Sequence, residues 1–258
     1  MKISVVINTL NDEQRLERCL VSVSWADEIV VVDLGSTDKT KEIAEKFKAK
    51  IYDHKKVDYV ELVRNESIKK ATDDWVLLLD PDEEISVSLK EELSKIANKK
   101  EYDAVIIARK NIIFGKWISH GTWWPDYKLR FFKKGIAQWS GKIHVDGRAK
   151  GRVCYLPANS DLAIIHHAYP DLTSFLERMN RYTDIEAEEK FNKDVRFSFW
   201  GMSWSILREF AKRFIKGMAF FDGLHGIVLT ILMMYYQFLV WGKLWEKGNR
   251  AGGNKFSH

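Results

Sequence analysis

Apolar residues in this chain gather in short unbroken runs instead of alternating with polar ones. ISVVIN (3–8), EIVVVDLG (28–35), AKIYD (49–53) and DWVLLLD (74–80) are four such runs, most of them rich in β-branched residues. Each has the length of a strand, and a strand apolar at successive positions is covered on both faces. Between the runs the spacing changes to three and four. Leu16, Cys19, Leu20 and Val23 share one helical face in DEQRLERCLVSV, with Asn11 or Asp12 as N-cap. Ile43, Ala44 and Phe47 do the same in STDKTKEIAEKF, where Ser36 or Thr37 is available as cap. ELVRNESIKKAT (61–72) and SVSLKEELSKIANKK (86–100) read as further helices, and YDAVIIARKNIIF (102–114) as another strand. This order predicts an α/β fold: a mostly parallel central sheet with helices on both sides. Ligands of such sheets bind at the carboxyl ends of the strands. Thr9, Asn11, Asp33, Ser36, Asp38, Asp80 and Asp82 all fall just after strand ends.

From residue 115 to 147 the pattern loosens into loops and short strands rich in Trp, Gly, His and charge. A loop-rich stretch of this kind is where an enzyme holds a second substrate. DLTSFLERMNRYTDIEAEEKF (171–191) returns to a helix. Beyond it, Trp204, Leu207, Ala211, Phe214, Met218 and Phe221 recur at steps of three and four, predicting one helix over 204–221. Arg208, Lys212 and Lys216 form a separate basic stripe. That is the pattern of a helix lying in a membrane interface. The run GIVLTILMMYYQFLVW (226–241) is sixteen residues of mostly apolar character. A spanning helix needs about 20, so the run reads as a buried core helix, a re-entrant segment or an interfacial one. Three segments result: 1–110 for a nucleotide, 111–196 for an acceptor within the same domain, and 197–258 as a basic, Trp-rich helical extension.

Charge sharpens this division. The formal net charge is +5, and from Phe197 onward eight Lys and Arg face three acids, so the extension carries the whole surplus. A basic tail on a neutral body suggests an anionic surface as partner, and the expectation is a membrane and not nucleic acid. The two cysteines, Cys19 and Cys154, are far apart and form no metal-type or redox-type pair. A reduced cytoplasmic setting follows, with the chain peripheral on the inner face of the cell membrane. The amino-terminal run reads as a first strand and not as a signal peptide.

The candidate chemistry lies in VVVDLGSTDKT and LLLDPDEEIS. Asp33 ends a buried run and the chain then turns through Gly35. A carboxylate there can accept hydrogen bonds from a nucleobase or ribose, whereas Ser36, Thr37 and Asp38 taken singly read as a helix cap and a solvated turn. Neither a dinucleotide-type nor a Walker-type glycine loop is present. In LLLDPDEEIS four acids, Asp80, Asp82, Glu83 and Glu84, crowd the end of a buried strand. Uncompensated, they repel one another, and a hard divalent cation bridging a diphosphate would both relieve them and replace the missing loop.

Six segments in order carry a resemblance: SVVINTLNDEQRLERCLVSV, DEIVVVDLGSTDKT, RNESIKKATDDWVLLLDPDE, WWPDYKLRFFKKG, KIHVDG and HHAYPDLTSFLERMNRYTDIEAEE. Over about residues 2–190 the chain resembles the family 2 glycosyltransferases, most closely the lipopolysaccharide-core β-glucosyltransferase-like branch. The resemblance implies a GT-A fold, a nucleotide-sugar donor (most often a UDP-sugar), Mg²⁺ or Mn²⁺, and inversion at the anomeric carbon. It implies a glycan or glycolipid acceptor. It places Thr9 and Asn11 at the nucleotide, Asp33 at the base, Ser36 and Asp38 in the same donor-facing group, and Arg64 near the donor. Asp80 would touch ribose or metal, and Asp82, with Glu83 beside it, would be the metal ligand. His166 at a strand end would help hold metal or diphosphate; otherwise it is structural. An inverting transfer needs a general base, which the family supplies as a carboxylate, often directly after a His. Here Val145 follows His144 and the acid, Asp146, comes one residue later. Asp146 is the expected base, with Asp126 and His144 as fallbacks. Lys128 and Arg130 read either as cations for an anionic acceptor or as a solvated pair. Trp117, Trp123 and Trp124 read either as sugar-stacking faces or as core. Two rivals stand beside this reading: a nucleotidyltransferase, which would want a glycine-rich basic loop after the first strand, and a non-catalytic membrane-associated nucleotide-sugar-binding module.

Overall fold

A computed structural model describes residues 1–57, 59–140 and 146–253, with side chains through 250. The chain forms two compact units, residues 1–110 with 125–167, and residues 111–124 with 168–258.

In the first unit the apolar runs become β1 (Ile3–Thr9), β2 (Glu28–Asp33), β3 (Lys50–Asp53) and β4 (Trp75–Leu79). They pair in parallel in the order β3-β2-β1-β4. The helices α1 (Leu16–Ser22), α2 (Thr40–Lys46) and α3 (Arg64–Lys70) connect them. Both faces are covered, as the unbroken runs require. Val5, Ile7, Val31, Leu77 and Leu79 pack with Leu16, Leu20 and Ala44 on one side. Val6, Val30, Val32, Val76 and Leu78 pack with Ile68 and Ala71 on the other.

After β4 come the two-residue β5 (Glu83–Glu84), α4 (Val87–Lys99), β6 (Ala104–Ile113), β7 (Lys116–Trp117) and β8 (Asp126–Lys133). The parallel arrangement ends here: β8 runs antiparallel between β4 and β6. Short strands β9 (Ala137–Gln138) and β10 (Arg148–Ala149) pair with each other, β11 (Val153–Tyr155) pairs with β6, and β12 (Ile164–Tyr169) pairs with β5. The result is the expected α/β, GT-A-type architecture, with a mixed second half.

The cap positions shift from the expectation. Asp12 folds inward, accepting from the Thr9 hydroxyl at 3.0 Å and the Leu10 amide at 3.1 Å, and α1 begins only at Leu16. At α2 the capping role passes from Ser36 or Thr37 to Asp38, which accepts from the Thr40 amide at 3.0 Å.

A buried carboxylate pins the opposite end of β2. Glu28 accepts from the Thr72 amide at 2.7 Å, the Thr72 hydroxyl at 2.9 Å and Lys50 at 2.6 Å, and from Ser4. Burial pushes its pKa up, but bonds from Lys50, Ser4 and Thr72 outweigh that and hold it at about 2. A depressed acid stabilises the fold above its unfolded pKa, near 4.5, and loses that contribution as pH falls toward 2. Glu28→Gln is therefore expected to remove about 2–3 kcal/mol of pH-dependent stability between pH 4.5 and 2. Urea unfolding of both proteins at intervals across that window checks this; parallel curves would refute it.

The second unit contains α5 (Leu172–Asn192), α6 (Phe199–Phe210) and α7 (Leu224–Gly253). Phe175, Met179, Leu229, Ile113 and Ile118 form its core. The single helix expected over 204–221 is not continuous. After α6 the backbone widens into a π-turn over Ala211–Lys216, Met218 adopts φ +51°, and a 3₁₀ turn follows at Ala219–Asp222. A buried carboxylate fixes that break: Asp222 accepts from the amides of Ser119 at 3.3 Å and His120 at 2.8 Å. The run at 226–241 sits inside a longer helix. Leu224–Arg250 is long and apolar enough, by length and composition, to cross a membrane.

Candidate active site

Four parallel strands bring their carboxyl ends to one edge of the sheet, and the sequence places polar residues there. Asp33 closes β2 and is 1% exposed. Its Oδ2 accepts from the amides of Gly35 at 3.1 Å and Ser36 at 3.0 Å, in a turn that Gly35 makes at φ +92°. Its Oδ1 is buried without a hydrogen-bond partner. Such a lone acceptor carries a desolvation cost, which a ligand donor would relieve.

Thr9, Asn11, Ser36 and Asp38 spend many of their bonds on holding two loops together. Asn11 takes φ +53°, and its amide donates to the Ser36 hydroxyl at 2.9 Å. Its side-chain oxygen accepts from the Thr37 amide at 2.8 Å. Asp38 accepts from the Glu13 amide at 3.1 Å, and Glu13 from the Lys39 amide at 3.1 Å. The β1–α1 and β2–α2 loops are thereby laced into one rim beside Asp33.

The four acids after β4 are compensated mainly by arginine and histidine. Asp80 accepts from Arg64 at 2.8 Å and from Arg130 at 2.5 Å. Glu83 is fully buried and accepts from Arg130 at 2.7 Å, Arg109 at 3.3 Å and the Asp80 amide at 2.9 Å. Glu84 pairs with His167, and Arg18 lies 3.5 Å from it. Burial opposes the Asp80 charge, but Arg130, Arg64 and Arg109 overcome it and hold the carboxyl well below the usual range. Arg130 is itself raised by Asp80 and Glu83 against its burial. Asp80 is thus a guanidinium-bound carboxylate, and Arg130 is no surface cation: it is 4% exposed and committed to Asp80 and Glu83. Arg64 keeps Nη1 buried without a partner, and Arg130 keeps Nε so.

Asp82 stands between a histidine and an arginine: its Oδ1 lies 3.7 Å from His166 Nε2 and its Oδ2 lies 3.8 Å from Arg15. Pairing of β5 with β12 places Glu83 opposite His166. Among the described residues no group of three His, Cys, Asp or Glu is arranged to hold a metal. A single carboxylate nonetheless suffices for Mg²⁺ where substrate phosphates and water complete the shell.

On the other flank, Asp126 begins β8 opposite Arg109 and takes two of its donors, Nε at 2.9 Å and Nη2 at 2.5 Å. Lys128 lies 3.4 Å from Asp126 and 3.0 Å from Asp146. Asp146, with a side chain 54% exposed, is the freest of the candidate acids. His144 falls outside the described residues. The tryptophans belong to the second unit: Trp123 packs on its core beneath Arg213, whose guanidinium stands 5.2 Å from the ring, and Trp117 meets Trp124 edge to face. Arg109 and the compensating roles of Arg130 and Glu83 were not read from the sequence. The available signal was a charge amid apolar strand residues, as in AVIIARK and KLRFF.

The carboxyl edge of four parallel strands, with an unpartnered buried carboxylate oxygen, is the ligand-binding edge of an α/β fold. The model of glycosyl transferase family 2 matches residues 4–150, more than half of the chain, and the chain belongs to that family. It is therefore a glycosyltransferase. A Rickettsia typhi protein described as an uncharacterized glycosyltransferase is 27% identical over 260 residues, covering 95% of this chain and 87% of its own. LpsC of Rhizobium meliloti, a lipopolysaccharide core biosynthesis glycosyltransferase, is 21% identical over 263 residues, covering 96% and 93%. Among solved structures, TarS 1–349 of S. aureus superposes with a TM-score of 0.49 at 18% identity, covering 98% of this chain and 92% of that one. Glucosyl-3-phosphoglycerate synthase of Mycobacterium tuberculosis, in complex with Mn²⁺ and UDP-glucose, gives a TM-score of 0.36 at 24% identity over 43% of each chain.

Proposed function

We propose that this glycosyltransferase moves a sugar, with inversion, from a UDP-sugar to a hydroxyl of a lipid-linked or lipopolysaccharide-type glycan at an anionic membrane surface. The observation that carries the donor half is the buried, partnerless Oδ1 of Asp33 beside a rim laced by Asn11, Ser36 and Asp38. A pyrimidine N–H or ribose hydroxyl is the donor it lacks, and Arg64 Nη1 is a matching spare cationic donor for the donor's anionic part.

Asp82 and His166 are the residues to hold Mg²⁺ or Mn²⁺, which would stabilise the departing nucleoside diphosphate as a Lewis acid. Asp80, already bound by Arg64 and Arg130, holds Arg64 in place. On the acceptor side Asp146 takes the hydroxyl proton as oxygen attacks C1 and the C1–phosphate bond breaks. The geometry favours Asp146 over Asp126, which would have to loosen two guanidinium bonds to accept a proton. Lys128 bridges the two carboxylates and orients Asp146.

Calorimetric titration of UDP-glucose into the full chain tests the donor site. Binding is expected with Mn²⁺ and is expected to weaken about tenfold or more when EDTA replaces it. Asp33→Asn is expected to lose roughly 10- to 100-fold in affinity, the range of a hydrogen bond to a charged group. Silence across a panel of nucleotide sugars would overturn the donor assignment.

A further inference from the structure

The helix α6 is inverted relative to an ordinary surface helix. Its inward side carries Gly201 against Trp241, Ser205 accepting from Trp241 Nε1 at 3.0 Å, and Glu209, which is buried and paired with Arg213. Its large apolar residues face out: Phe199 is 62% exposed, Trp200 80%, Trp204 65% and Leu207 56%. Leu224, Ile227, Ile231, Tyr235 and Phe238 continue an exposed apolar stripe along α7. Exposed apolar residues on two helices packed together mark a site covered by something else.

Charge identifies the cover. Arg208, Lys212 and Lys216 are exposed among these residues, and none has an acidic partner among the described residues. Apolar residues interleaved with long cations suit lipid tails beneath anionic headgroups, where lysine and arginine stems run up to the phosphates. A second copy would set the same three cations against each other across a self-complementary contact, which like-charge repulsion disfavours.

Contacts along α7 decide how deep this surface goes. Tyr236 donates to Glu186 at 2.9 Å, Lys243 reaches Asn180, Thr183 and Asp184 at 2.7–2.9 Å, and Lys247 pairs with Glu188. The later half of α7 is thus riveted to α5, which also exposes Glu177, Arg181 and Glu189. Were α7 to cross a bilayer, α5 would carry these charges into hydrocarbon at roughly 2.5–3.5 kcal/mol each near the centre.

We propose that α6 and the first half of α7 lie in the plane of one leaflet of an anionic membrane, with the apolar stripes inserted, Arg208, Lys212 and Lys216 at the phosphates, and no crossing of the bilayer. This rests on the proposed membrane-borne acceptor, but its test uses neither donor nor acceptor, so the two readings fail separately. The full chain is floated with sealed vesicles of phosphatidylcholine, with and without phosphatidylglycerol. Flotation is expected only with the anionic lipid. Trp200→Ser with Trp204→Ser is expected to reduce the bound fraction about tenfold or more, and Arg208→Gln with Lys212→Gln and Lys216→Gln to abolish the preference for anionic lipid. Exposure of all five side chains keeps the fold intact, which circular dichroism verifies. In membrane vesicles of known orientation from expressing cells, a tag after the last residue and the body are expected to be digested from the same side. Flotation unchanged in both variants, or a chain that stays unbound and sediments as a dimer dissolved by the tryptophan changes, would overturn the proposal. A tag protected while the body is digested would overturn the in-plane arrangement.

Discussion

Asp146→Asn is expected to slow glycosyl transfer by about 10²- to 10⁴-fold, the range associated with removing a general base, while donor affinity stays within about twofold. The asymmetry follows from position. Among the described residues Asp146 pairs with Lys128 at 3.0 Å, and none of its described bonds reaches the Asp33 rim or the Asp80 cluster. Asp126→Asn has a different signature. It strips Arg109 of a two-donor partner and leaves that guanidinium with Glu83 alone among its described carboxylates, so donor binding and stability both change. Single-turnover rates at saturating donor, set beside donor titrations, separate the two acids. An Asp146→Asn enzyme that turns over at the native rate would move the base to Asp126 or His144.

Arg130→Met is expected to destabilise the first unit by about 3 kcal/mol, the lower end of the 3–5 kcal/mol seen when one partner of a buried ion pair is removed. The lower end applies because Arg64 still reaches Asp80 and Arg109 still reaches Glu83. Methionine retains the length of the stem, so the effect reads the charge and not a cavity. Denaturant unfolding gives the number. Glu83→Gln added to Arg130→Met is expected to recover part of the loss, since it removes the fully buried carboxylate left short of a partner. Purely additive effects would refute a shared network.

The first half of the fold was legible because its physics is local. Strands buried on both faces write themselves as unbroken runs such as VVINT and WVLLL, and the polar residues beyond them mark the carboxyl edge of the sheet. The edge itself was legible as composition and not as pairing. LLLDPDEEIS announces an excess of negative charge, but the cations that answer it are Arg64, Arg109, Arg130 and His167, brought in by separate strands and a helix. Nothing local to 80–84 names them. The tail misled for a related reason. Trp204, Leu207, Ala211, Phe214, Met218 and Phe221 keep a helical period, yet Asp222 locks onto Ser119 and His120 and breaks the helix near Met218. A tertiary contact some hundred residues away in sequence overrides periodicity there.

Cys19 lies with no exposed surface beneath the acid cluster, its thiol 3.7 Å from the Asp80 carbonyl. Burial, then the charges of Glu83, Asp82 and Asp80, push its pKa well up, so the thiolate is suppressed as long as the unit is closed. A neutral alkylating reagent therefore meets this sulfur only when the sheet edge opens. Its labelling rate, resolved from that of Cys154, becomes a stopwatch for opening events at this edge. Run with and without a nucleotide sugar, that clock would show how far the donor shuts the edge, in a protein that needs no added dye.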